Sequence, residues 1–94
     1  MSYYSSLMEV VNLISGVQIR CARAALAWSI EQLANESKIS VSTIKRMEAA
    51  DSVPKSTAAN IKIIRLTLEA AGIEFIGSPD DRPGIRFNPE QTQK

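Results

Sequence analysis

The sequence predicts a mostly α-helical single domain that closes with a short β element. Three observations carry this reading. Apolar residues recur at helical spacing from Leu7 to Ala71. A serine or threonine stands just ahead of most of the helical segments, where a helix N-terminus needs a hydroxyl acceptor. After Gly72 the period changes to the short, β-prone runs "IEFI" and "GIRF". The length of 94 residues, 45% of them apolar, suits one core.

Leu7, Val10, Val11 and Ile14 fall at i, i+3, i+4 and i+7, one helical stripe that Gly16 interrupts. Residues 1–15 therefore read as an N-terminal extension with a short helix, and "MSYYSS" as loose chain. Val17 to Ala27 is rich in helix formers and turns Ile19, Ala22 and Leu26 inward, until "AWS" stops it. Ser29 with Gln32 has the capping-box spacing, opening a helix from Ile30 to Glu36 that buries Leu33 and Ala34. A tight turn at Ser37–Ile39 leads to Ser40, the cap of a helix running to about residue 49, with Ile44 and Met47 inward. "DSVP" is a loop, because the residue before a proline is biased away from helical geometry.

Ser56 or Thr57 caps a longer helix that reaches Ala71 and faces Ile61, Ile64, Leu68 and Ala71 inward. Gly72 sits where a left-handed cap belongs. "GSPDDRP" is turn chemistry throughout, so 73–88 reads as a hairpin, or one strand and a return, and 89–94 as a frayed, flexible tail.

Composition excludes several classes. One cysteine forms no internal disulfide, no apolar run reaches the roughly 20 residues of a membrane span, and Met1 to Gly16 lacks the basic start of a signal peptide. A cytoplasmic setting and no membrane partner are expected. The absence of histidine removes the usual general base, and Cys21 has no second ligand for a metal, so neither an enzyme nor a metal or cofactor site is expected. Cys21 and Trp28 both read as core residues. The net charge of +1 hides an uneven distribution: residues 17–65 hold eight cations against four acids, and residues 66–94 three cations against five acids. A basic middle suits a polyanionic partner.

Two short helices, about 30–36 and 40–49, joined by a tight turn and flanked by a helix on each side, have the spacing of a helix-turn-helix. In that geometry the second helix protrudes far enough to enter a major groove. With Ile44 and Met47 inward, Val41, Ser42, Lys45 and Arg46 lie on its exposed side.

The stretch "WSIEQLANESKISVSTIKRMEAAD" resembles the Cro/CI-type (XRE) helix-turn-helix family. The family pattern is Leu-Ser-Gln-x-x-Leu-Ala, then apolar-Gly-Val-Ser, then an Ile-x-x-Ile-Glu helix. Ser29, Leu33, Ala34, Ile39, Ser40, Thr43, Ile44 and Glu48 match it. "QIRCARAALAWS" is similar to the first helix of such regulators, and "RLTLEAAGIEFI … PGIRF" to the tail of a subgroup. The resemblance implies a lambda-repressor-like DNA-binding domain of four or five helices over 16–72, its motif at 29–49, with a short C-terminal β-hairpin or strand.

The resemblance also assigns roles. Val41, Ser42 and Arg46 take the base-contacting positions, with Lys45 beside them. Ser29, Lys38, Ser40, Thr43 and Lys55 suit phosphates, and Arg23 and Glu48 match a structural ion pair between the first and third helices. Three residues depart from the pattern: Ile30 replaces a Gln that bonds DNA, Ser37 an apolar residue, and Lys38 the glycine of the turn. The expected function is sequence-specific binding of a double-stranded DNA operator as a homodimer, repressing transcription without a small-molecule effector. The alternative is a helix-turn-helix-like protein-interaction module, antitoxin-like or a regulator's partner, motivated by the apolar Ile30 and Val41 on the outer face. Residues 73–87 and 5–15 are the expected dimer surfaces, because their apolar faces have no place in a helix-turn-helix core.

Overall fold

The computed structural model describes residues 13–54 and 56–91. Among them are four helices, α1 (Gly16–Leu26), α2 (Ile30–Ser37), α3 (Val41–Glu48) and α4 (Ala58–Ala70), followed by an antiparallel hairpin of β1 (Ile73–Ser78) and β2 (Asp81–Phe87). None of these helices is long and apolar enough to cross a membrane.

Each helix starts on a hydroxyl that accepts from a backbone N–H three residues on: Ser15 from Gln18, Ser29 from Gln32, Ser40 from Thr43 and Thr57 from Asn60. These bonds satisfy donors that a helix N-terminus otherwise leaves orphaned. The full capping box forms at Ser15, where the Gln18 side chain also accepts from the Ser15 N–H. At Ser29 the hydroxyl half of the predicted box forms.

The helical stripe read across 7–14 is described only at its end. Its residues 7–12 lie outside the described residues, and Leu13–Ser15 are not helical. Gly16 is the first residue of α1, and it is glycine for a steric reason. A Cβ there would run into the carbonyl oxygens of Met47 and Ala50, so the start of α1 lies directly on the end of α3. The Gly16 N–H donates to the Ser52 carbonyl, which fixes the same junction.

The core consists of Ile14, Ile19, Ala22, Leu33, Ile44, Met47, Ile61, Ile64, Leu68 and Ile73, drawn from every helix and the hairpin. Trp28, Leu26 and Ala34 are half-buried against it. Cys21 is exposed, contrary to its reading as a core residue. It lies on the outer side of α1, while Ile19 and Ala22 take the inner side.

The hairpin connection is shorter than "GSPDDRP" suggested. Only Pro79 and Asp80 lie between the strands, and Ser78 pairs with Asp81. The turn-forming residues instead build a register shift between Ile76 and Ser78. Gly77 takes φ 74° there, where a Cβ would meet the Arg82 carbonyl. Pro83 is tolerated inside β2 because both strands of a two-stranded sheet are edges. The tail stays attached beyond β2: Asn88 N–H donates to Gly72 at 2.8 Å, and Pro89–Gln91 form a single 3-10 turn where a frayed end was expected. Residues 92–94 lie outside the described residues.

Ile73 lies in the core and Phe75 and Ile85 pack half-buried against it, while Phe87 is 38% exposed, so 73–87 spends part of its apolar face internally. Gln18, 1% exposed, ties the hairpin to α1. Its amide donates to the carbonyls of Ile76 and Gly84, both at 3.0 Å, which are cross-strand partners in the register. Every polar atom of that side chain is thus satisfied. Gln18→Ala strands two carbonyls and opens a cavity, and should lower stability by about 2–4 kcal/mol. Urea unfolding measures the loss, and hydrogen exchange should show it concentrated at the hairpin.

Candidate nucleic-acid interface

α2 and α3 are joined by Lys38, Ile39 and Ser40. Lys38 is left-handed, φ 65° and ψ 22°, and its N–H donates to Ala34 at 2.8 Å to close α2. Ser37, which stands where the resembled family has an apolar residue, is 6% exposed. Its hydroxyl accepts from the Ile39 N–H at 3.2 Å, which makes its burial tolerable. Lys38 itself is exposed. Since a side chain in this region costs about 1 kcal/mol relative to glycine, Lys38→Gly should hold or raise stability by up to about 1 kcal/mol in chemical denaturation.

α3 has a sharply divided surface. Ile44 and Met47 are fully buried and Glu48 is 5% exposed. Ser42, Lys45 and Arg46 are exposed, and Val41 and Thr43 are half-buried. Neither Lys45 nor Arg46 has an ion-pair partner among the described residues, whereas the hairpin cations are paired, Arg82 with Asp81 at 3.1 Å and Arg86 with Glu74 at 3.0 Å. At the head of α3 the hydroxyls form a chain. Ser40 accepts from the Thr43 N–H and donates its own hydrogen to the Thr43 hydroxyl at 2.9 Å. Ser40 is therefore engaged by the cap, with the Ser42 hydroxyl 3.4 Å away and the Thr43 hydroxyl accepting from it.

The rear of α3 is clamped. Arg23 binds both carboxylate oxygens of Glu48, Nε to Oε2 at 2.8 Å and Nη2 to Oε1 at 3.0 Å, and donates from Nη1 to the Trp28 carbonyl at 3.0 Å. Arg20 donates to the Glu48 backbone carbonyl. The hydrogen bond to Glu48 raises the Arg23 pKa, helped by the charges of Glu48 and Glu31 and opposed by burial. A guanidinium pKa raised from an already high value keeps Arg23 charged far into the alkaline range, so its contribution is lost only as pH rises beyond that. Arg20 entered the sequence reading only as one of the basic charges. The signal was its place three residues before Arg23, on the side of α1 that the Arg23–Glu48 match assigns to the third helix.

The other sequence-derived positions fall as follows. Ser29 is exposed at the head of α2, its hydroxyl accepting from Gln32. Lys55 lies outside the described residues. Ile30 is half-buried against the core rather than displayed on the outer face. The described residues hold no group of three or more His, Cys, Asp or Glu side chains that could bind a metal ion. Compared with protein-family models, with curated proteins and with solved structures, the chain matches none.

Removing one partner of the bidentate pair leaves a charge stranded. The side chains of Arg23 and Glu48 are 23% and 7% exposed, so Glu48 suffers more. Arg23→Ala should cost about 3 kcal/mol. The double variant Arg23→Ala/Glu48→Ala should lose less than the two single losses added together, and a thermodynamic double-mutant cycle gives that coupling directly.

Proposed function

We propose that the chain is a sequence-specific regulator of transcription that binds double-stranded DNA through a lambda-repressor-like helix-turn-helix of the Cro/CI type. In this reading α2 and α3 are the two motif helices, and α3 lies in the major groove. The observation that carries it is the face of α3: Ser42, Lys45 and Arg46 exposed together, the two cations free of ion pairs among the described residues, on a helix held from behind through Glu48. Arg46 and Lys45 donate to guanine O6 and N7, the Val41 side chain packs on a thymine methyl, and Ser42 bonds a base edge. The Thr43 hydroxyl, Lys38 and Ser29 contact phosphates, as does Lys55 by charge. The protein acts in the cytoplasm as a homodimeric repressor on a two-fold operator with half-sites about 34 Å apart.

Ile30 was one of two apolar residues that motivated a protein-interaction surface instead. Its packing against the core leaves the half-buried Val41 alone on that face, which favours the DNA reading.

Fluorescence anisotropy with DNA from upstream of the protein's own coding region tests this. Affinity should fall steeply with salt, each phosphate contact contributing about −0.9 to the slope of log K against log salt. Arg46→Ala should cost about 1–3 kcal/mol of preference for the cognate sequence with unchanged thermal stability. Salt-independent binding, or none, overturns the proposal.

A further inference from the structure

α4 carries two apolar faces. Ile61, Ile64 and Leu68 are buried in the core. On the opposite side Ala59, Ile63, Leu66 and Ala70 are exposed, with Ile63 at 39% and Leu66 at 51%. An isolated exposed leucine is ordinary. These four are not isolated: their spacing of four, three and four residues is that of alternating d and a positions along a coiled-coil seam.

We infer that this face is the homodimer interface, with α4 packing antiparallel on α4 of a second copy across a two-fold axis. The order of residues specifies a second copy of the chain. The seam reads small, large, large, small, and reversing it returns the same order. Antiparallel packing sets Ala59 against Ala70 and Ile63 against Leu66 in every layer, as an isologous interface requires. The flanking charges agree. Lys62 is exposed on one flank, without an ion-pair partner among the described residues. Glu69 lies on the same flank one heptad later, its Oε2 bonded to Arg65 at 2.9 Å while its side chain stays 35% exposed. The antiparallel arrangement brings Lys62 of each copy beside Glu69 of the other, giving two symmetric pairs. Asn60 and Thr67 meet on the opposite flank.

The seam also predicts strength. α4 has 13 residues, about 20 Å of helix. That is less contact than the roughly 800 Å² per partner of a tight complex. The dimer is therefore weak, with a dissociation constant in the micromolar range or above, and paired DNA half-sites would favour it by bringing two copies together.

The inference deepens the homodimer part of the proposed function and rests on it. It is tested without DNA. Sedimentation equilibrium of the full chain, with reductant present because Cys21 is exposed, should show a monomer–dimer equilibrium between micromolar and near-millimolar protein. Leu66→Glu should weaken dimerisation at least about tenfold while keeping the helical circular dichroism. Lys62→Glu should weaken it as well, and the charge exchange Lys62→Glu/Glu69→Lys should restore it. Should Leu66→Glu disturb the fold, the Lys62 pair of variants decides. A monomer at every concentration, or a dimer indifferent to these changes, overturns the inference. Anisotropy on the same samples separates the two readings: a dimer responding to the seam that ignores DNA sinks only the DNA proposal, and a monomer that binds DNA sinks this inference and the homodimer part of the proposed function but leaves DNA binding standing.

Discussion

The bidentate pair between Arg23 and Glu48 is the constraint on which the rest of the structure turns. α3 has eight residues, too few to be stable alone, so its direction must come from its contacts. Ile44 and Met47 supply burial, but apolar contacts of this kind tolerate sliding and small rotations. A planar guanidinium holding both oxygens of one carboxylate does not. It fixes the rotation of α3 about its own axis relative to α1, and the Arg20 bond to the Glu48 carbonyl fixes its C-terminal end. Gly16 lets α1 come close enough for this to happen. The exposed direction of Ser42, Lys45 and Arg46 is thus set by a charge pair on the far side of the same helix.

The hairpin is held by a second polar device with a different logic. Two-stranded hairpins are marginal by themselves. Here Phe75 and Ile85 pack on the core, and Gln18 bridges carbonyls of both strands at one register position, so a slip would unpair the buried amide. At the tip, the Ser52 hydroxyl donates to Asp80 at 2.6 Å, joining the hairpin to the segment after α3 that also accepts from the Gly16 N–H. The start of α1, the end of α3 and the hairpin therefore meet in one region. That region lies at the Glu48 end of α3, away from the exposed Ser40, Ser42, Lys45 and Arg46.

The helices were legible because their signals are local. Hydroxyl caps, the spacing of apolar residues and a glycine after α4 each act within a few residues, and they placed α2, α3 and α4 to within about a residue or two. What escaped was information carried by contacts distant in sequence. Gln18 looks like any polar helix residue until its carbonyl partners, Ile76 and Gly84, arrive from the far end of the chain. Gly16 reads as a helix breaker because nothing local announces that α3 will lie against it. The turn residues of "GSPDDRP" were read correctly as irregular backbone, but only Pro79 and Asp80 form the connection, and the irregularity at Gly77 is a shift in strand register. At the candidate site, the pattern placed Ser42, Lys45 and Arg46 outside and Ile44 and Met47 inside. It did not show that Ile30 would lean onto the core, since a helix-start position lies at the boundary between its two faces.

Charge pairing explains why a net charge of +1 says so little about this protein. Three of the five acids of residues 66–94 are spent locally: Asp81 on Arg82, Glu74 on Arg86 and Glu69 on Arg65. Glu48 is spent on Arg23. Each neutralises a cation within its own neighbourhood, so these groups contribute little field at a distance. Lys38, Lys45 and Arg46 have no such partner among the described residues, and they sit together on the turn and the outer face of α3. Summed over the chain the charges nearly cancel, yet these three cations stand exposed with hydroxyls between them, while the exposed acids Glu31, Glu36 and Asp51 lie on α2 and just after α3. The same sorting leaves Lys62 unpaired beside an apolar seam, where a single cation flanking exposed Ile63 and Leu66 is better matched to a protein carboxylate than to a run of phosphates.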